Sequence, residues 1–159
     1  AVKSSVLTNA IAVALAAVGF IAAPAAQATL GQRVDSVAAD ATRLSAIAHA
    51  SNVHAAYTVH TITLPSGTVV REYAGADGIV FGIAWNGPRM PDLQTMLGNY
   101  FPQYASGVKA LKAAHPGRGP VAVEESDLVV HSGGHMGSFF GQAWLPMSLP
   151  AGMTGSDIK

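Results

Sequence analysis

The sequence predicts an α+β fold made of two copies of one unit, a helix followed by a three-stranded antiparallel meander. The strands are expected in one sheet or two abutting sheets, with the helices packed on one face. Three observations carry this expectation. The stretch from Tyr57 to Pro88 reads as three short strands joined by two tight turns. The pattern recurs about sixty positions later, where Ser66, Val69, Val70, Phe81, Gly82, Ala84 and Trp85 meet Ser126, Val129, Val130, Phe140, Gly141, Ala143 and Trp144, one residue being lost in the second turn. A stretch of helical period precedes each copy, and Val37, Ala41 and Leu44 of the first superpose on Leu97, Phe101 and Tyr104 of the second. One copy alone would leave an apolar sheet face exposed, so two are expected to pair around a shared core.

Residues 1–28 have the pattern of an export signal. Lys3 is the sole charge before Arg33, Val6 to Ile21 is an apolar run, and Ala26-Gln27-Ala28 is the small-x-small sequence that a signal peptidase accepts. A spanning helix needs about 20 apolar residues, so a cleaved signal fits better than an anchor. Cleavage after Ala28 would leave a single exported domain, 29–159, with repeats at about 30–88 and 91–146 and a C-terminal tail.

From Leu30 to about Ser51, apolar residues at Val34, Val37, Ala38, Ala41, Leu44, Ile47 and Ala48 follow helical spacing, with Arg33, Asp35, Asp40 and Arg43 opposite. Tyr57 to Leu64 and Thr68 to Tyr73 are strands around Pro65-Ser66-Gly67. Gly75 to Gly78 is the next turn, and Ile79 to Trp85 is the third strand. Strict alternation there places Ile79, Phe81, Ile83 and Trp85 on one face and Val80, Gly82 and Ala84 on the other. Pro91 suits the first position of a second helix, beside Asp92. Pro102 interrupts that helix, so a kink or two consecutive helices are expected near Phe101. His115 to Pro120 is a loop. Val121 to Val123, Leu128 to His131 and Ser138 to Trp144 form the second meander, with Ser126-Asp127 and the glycine-rich HSGGHMG as its turns. Pro146 to Lys159 is aperiodic and reads as a surface strap.

The 159 residues contain no cysteine and nine basic against nine acidic side chains, the former scattered singly. No basic face is present to bind phosphate, so a nucleic-acid partner is not expected. Without cysteine there is neither a disulfide nor a lipid attachment point, and the exported chain is expected to be soluble in the periplasm or secreted.

The blocks YTVHTITLPSGTVVREY, GIVFGIAWNGPRMPDLQTMLGNYF, DLVVHSGGHMGSFFGQAWLP and LPAG resemble the bacterial exported family catalogued as domain of unknown function 2844. The resemblance covers essentially all of the chain after the signal. It implies an exported protein with no assigned activity and carries over no catalytic residue. In architecture alone, the helix-plus-meander unit is similar to peptidase-propeptide-like domains and to the duplicated β-lactamase inhibitory fold, which inclines the reading toward protein binding.

Several side chains could carry chemistry. His131 and His135, with His60 on a neighbouring strand, invite a metal, but zinc needs three or four converging ligands and no cysteine supplements them. Ser132 and Ser138 lie near these histidines, yet a nucleophile elbow leads from a strand into a helix, and this context runs into another strand. Arg71 and Glu72 are adjacent on a strand and must point to opposite faces. Glu124, Glu125 and Asp127 read as a solvated turn. Trp85, Trp144, Phe81, Phe139 and Phe140 read as core, as do Tyr100, Phe101 and Tyr104. The resulting expectation is a non-enzymatic module without a cofactor. It binds a protein or peptide partner through an open sheet face or edge strand, with Arg71, Glu72, Trp85, Trp144, Tyr100 and Tyr104 as candidate contacts. The alternatives are a small-ligand or metal-binding protein using His131 and His135, and a hydrolase using the same loop. An exposed edge strand could also pair with a second copy in a homodimer.

Overall fold

The computed structural model describes residues 29–33 and 48–159. Among the described residues, seven strands form one antiparallel sheet: β1 (Ala48–Val53), β2 (Tyr57–Thr63), β3 (Val69–Gly75), β4 (Val80–Gly87), β5 (Val121–Glu124), β6 (Val129–His135) and β7 (Ser138–Trp144). Their order is β1-β2-β3-β4-β7-β6-β5, so the two meanders join where β4 pairs with β7. The first two turns form where expected, because Gly67 (φ 86°) and Gly78 (φ 78°) adopt the left-handed conformation that tight turns require.

The expected export signal, residues 1–28, lies outside the described residues, as does most of the helix expected from Leu30 to Ser51. Its last part is corrected. Ala48 to Ser51 belong to β1, which pairs with β2 in register Ala48 with Thr63 through Val53 with Thr58. Pairing satisfies the backbone groups that β2 would otherwise present at an edge, and this tertiary gain outweighs the helical preference of the alanines. Residues 29–33 are tied to the start of β4 and to the helical layer. Gly31 N–H donates to the Val80 carbonyl, Val80 N–H to Gln32, and Leu30 N–H to Met96, at 2.8, 2.9 and 3.1 Å.

The helical region is two consecutive helices, as Pro102 suggested: α1 (Leu93–Leu97) and α2 (Phe101–Ala114), separated by one tight turn, Gly98–Tyr100. Pro102 sits in the first turn of α2, where a missing N–H costs nothing. Pro91 is not the first helical residue. It precedes the cap Asp92, whose Oδ1 accepts from the N–H groups of Gln94 and Thr95 at 3.0 and 3.2 Å.

β4 is the centre of the molecule, and Val80 to Trp85 are buried without interruption because both faces of the sheet are covered. On one face Ile62, Val70, Val80, Ile83, Trp85, Val130 and Ala143 pack with Met96 and Leu97 of α1, while α2 approaches Val123 closely at Gly107. On the other, Tyr73, Phe81 and Ala84 pack with Ile158, Met153 and Leu149 from the C-terminal tail. The expected alternation fails at one point. Tyr73 pairs with Gly82 but Ala74 pairs with Val80, so Phe81 is an extra residue in a β-bulge. The bulge turns Phe81 away from Ile83 and Trp85, onto the face that the tail covers.

A one-residue difference also separates the two copies of the FGxAW pattern. Trp85 lies with Val70 and Ile83 on the helix side and is 2 % exposed. Trp144 pairs with Gly82 and lies half-buried on the tail side. One residue fewer before the second FGxAW shifts the strand phase, so Gly141, Ala143 and Trp144 take the faces opposite to Gly82, Ala84 and Trp85, while Phe140, like the bulged Phe81, lies on the tail side.

The tail is a strap, as expected, and it is firmly seated. Ile158 is fully buried over Gly82, which leaves room only because it lacks a Cβ, and Tyr73 Oη donates to the Lys159 carbonyl at 2.7 Å. Burying one isoleucine contributes about 1.5–3 kcal/mol toward holding the strap, to which the packing of Leu149 and Met153 adds. The glycine-rich HSGGHMG is corrected from a turn to a strand. β6 runs to His135 and the turn is Met136-Gly137. Gly133 and Gly134 are needed for close approach, since a Cβ on either would strike Phe140 or the backbone at Ser138.

His60 lies on the helix-side face of β2, in register with Glu72, and its ring is 5.7 Å from that of His49 on β1. Both ring nitrogens are buried without a hydrogen bond. Burial, and secondarily the neighbouring His49, push its pKa below the ordinary 6.5. Below about pH 6.5 the unfolded chain takes up a proton that folded His60 resists, so stability is expected to fall from there down to the depressed folded pKa and then level off. His60→Gln should flatten that part of the stability curve in urea unfolding. An unchanged slope would remove His60 as its source. A second expected outcome concerns Gly141, where a Cβ would fall inside the Trp85 indole. Gly141→Ala should lower unfolding stability by about 2–3 kcal/mol, whereas Gly119→Ala, with nothing within 4 Å, should change it by less than about 0.5 kcal/mol.

Candidate functional site

Register places one row of side chains across the tail-side face of the sheet. Thr61 pairs with Arg71, Arg71 with Ala84, Ala84 with Gln142, Gln142 with His131, and His131 with Ala122. The next row toward the open end of the face is Val69, Asn86, Phe140 and Gly133. The row on the other side, Tyr73, Gly82 and Trp144, is the one the strap covers. The strap ends beside the uncovered rows, and Lys159 forms the rim of a groove of about 520 Å³ lined by Arg71, Asn86, His131, Phe140 and Gln142 over Ala84 and Gly141.

Each wall has a local cause. Arg71 is half-buried, and its Nη1 donates to Asn86 Oδ1 at 3.1 Å, which aims the guanidinium along the groove. Ala84 is small, so the floor between Arg71 and Gln142 is low. Phe140 lies over Gly133, whose missing Cβ leaves space for the ring, and yet it is 58 % exposed. His131 is held between two partners, with Nε2 bonded to Glu124 Oε1 at 2.7 Å and its ring edge-on to Trp144 at 5.3 Å. The Gln142 carboxamide makes no hydrogen bond with any described residue. Arg71 and His131 are three strand spacings apart, about 14 Å, so the groove spans both meanders.

The residues singled out from sequence fall in different places. Arg71 lines the groove, and Trp144 buttresses it through His131. Glu72 is 1 % exposed on the opposite face and engaged within the protein, and Trp85 is buried in the core, so neither is a surface contact. Tyr100 and Tyr104 are half-buried against the helix-side core, where burial raises the Tyr104 pKa. His131 and His135 share a face of β6 but are four residues apart, about 13 Å along the strand. His60 projects from the other face, and no group of three or more His, Cys, Asp or Glu among the described residues is placed to hold a metal ion. Ser132 is buried on the face opposite His131, and Ser138 pairs with His135 at the sheet end. The acidic turn is bound to α2, Gln103 Nε2 donating to Glu125 at 2.5 Å and Asp127 at 2.8 Å. Asp157 in the strap accepts from Thr154 N–H at 2.8 Å, which lowers its pKa.

Sequence reading missed Asn86, Gln142 and Lys159 and assigned Phe140 to the core. Nothing local marks them, because cross-strand register brings them together. No described helix is long and apolar enough to cross a membrane. No curated protein and no solved structure matches the chain. A family model matches residues 26–158, and the chain belongs to that family, described as Protein of unknown function (DUF2844).

Proposed function

We propose that this is a non-catalytic, exported binding module that takes a protein or peptide ligand in the groove beside the strap. The observation that carries this reading is the uncovered row of Arg71, Gln142 and His131 around the low floor at Ala84. The groove's volume lies within the roughly 300–1,000 Å³ typical of ligand sites, and it combines an apolar wall with a few polar groups that fix orientation. His131 is committed to Glu124 and Ser132 faces away, so the described residues of the groove bring no nucleophile to a base. We take the two meanders as copies of one unit, with their helices on one face. Val69 and Val70 keep the same faces as Val129 and Val130, which supports this, the phase being lost only after the Phe81 bulge.

A photo-reactive residue in place of Gln142, in cells exporting the protein, should crosslink to a polypeptide, while one at Lys109 on α2 should not. Adding Arg71→Glu with Phe140→Asp should reduce the Gln142 crosslink at least tenfold. Equal crosslinking at both positions, or persistence in the double variant, would overturn the groove as the site. The export signal predicts that the intact mass of the exported form begins at Thr29, and retention of residues 1–28 would overturn it.

A further inference from the structure

We infer that the groove selects an acidic peptide segment, seating an Asp or Glu side-chain carboxylate on Arg71 and an adjacent apolar side chain on Phe140. This rests on the groove being the binding site. The first argument is charge. Arg71 and Lys159 supply the cationic side chains that line the groove, and no Asp or Glu side chain lines it. Glu124 and Asp157 stand outside the lining, Glu124 bonded to His131 and Asp157 bonded to Thr154 and interacting electrostatically with Lys159, so Arg71 is the cation of the groove with no carboxylate partner among the described residues. Cationic ligands would be repelled, and an anion would be drawn in.

The second argument is geometry. A guanidinium carries five N–H donors in a planar fork, and the fork matches a carboxylate through two parallel hydrogen bonds. Arg71 spends one N–H on the neutral amide oxygen of Asn86, which orients the group without cancelling its charge. Its other donors have no hydrogen-bond partner among the described residues.

The third argument separates a side-chain carboxylate from a chain terminus. Asn86 and Gln142 lie next to Ala84, one on its own strand and one directly across on β7. Each carboxamide offers a donor and an acceptor, the complement of a peptide backbone that continues on both sides of the acidic residue. A terminal carboxylate would leave one of them unused. Phe140, raised over Gly133 and largely exposed, then supplies the apolar contact that a lone salt bridge on a wet surface lacks.

The test is an amide NMR titration of the protein with three peptides: Ac-Ala-Phe-Glu-Ala-NH2, its neutral isostere Ac-Ala-Phe-Gln-Ala-NH2, and Ac-Ala-Phe-Gln-Ala-OH, whose carboxylate is terminal. The expected result is shifts at the Asn86 and Gln142 side-chain amides and at Phe140, with the Glu peptide bound at least tenfold more tightly than either Gln peptide. Arg71→Gln should bring the Glu peptide to within twofold of its isostere, and Arg71→Lys, which keeps the charge and loses the fork, should retain part of the preference. Equal binding of the Glu peptide and its isostere, with shifts at the groove, would overturn the acidic selectivity and leave the groove standing. A preference for the terminal carboxylate, or one that survives Arg71→Gln, would also overturn it. Absence of shifts at the groove with all three peptides would remove both this inference and the groove itself.

Discussion

The register between β4 and β7 is the constraint on which the rest depends. It is set where the Trp85 indole lies across Gly141, a contact that no residue with a Cβ could make. β4 contributes the longest buried run of any described strand, and β7 is its partner from the second meander. Sliding that pair by one residue would turn Ala143 out of the helix-side core and Gln142 into it, burying a carboxamide at the cost of its solvation. The same register puts Gln142 beside Ala84 and hence opposite Arg71. Core and groove are two faces of one alignment.

The two faces are covered by different means, and that difference creates the groove. The helix side is filled by apolar side chains from α1, α2 and the segment at Leu30, in a continuous core. The other side has no helix among the described residues and is covered by a strap anchored at Ile158 over Gly82. The strap covers the row at Gly82 and reaches Ala84, which is 2 % exposed, but leaves Arg71, Gln142 and His131 on either side of it, and the row at Asn86, partly open to solvent. The bulge at Phe81 assists by adding a large ring to the strap's side, so that Ile158, Tyr73 and Phe81 form a compact second core. The polar groups of Arg71, Asn86 and Gln142 can then remain at the surface while sitting against a well-packed wall.

Much of this was legible locally. The β2 to β4 turns follow from glycines that need positive φ, the break before α2 follows from Pro102, and the opposite facing of Arg71 and Glu72 follows from strand geometry. The failures have a common cause. Ala48 to Ser51 look helical by composition but complete a sheet. The glycines of HSGGHMG look like a turn but make room for the Phe140 ring and let β7 approach. Trp144 matches Trp85 in sequence, yet one residue of phase puts it on the other face.

The sequence by itself determined strands β2 to β4 with their two turns, the break before α2 and the presence of Arg71 on an alternating strand, because each of these depends on residues within a few positions of one another. The tertiary structure alone decided which face each side chain occupies beyond the bulge, which row the strap covers, and that Asn86, Phe140 and Gln142 meet Arg71. Phe140 and Gln142 come to the groove only through the pairing of β4 with β7, more than fifty residues apart, while Asn86 meets Arg71 across the β3–β4 pair, and a single inserted residue in either pairing reverses the faces.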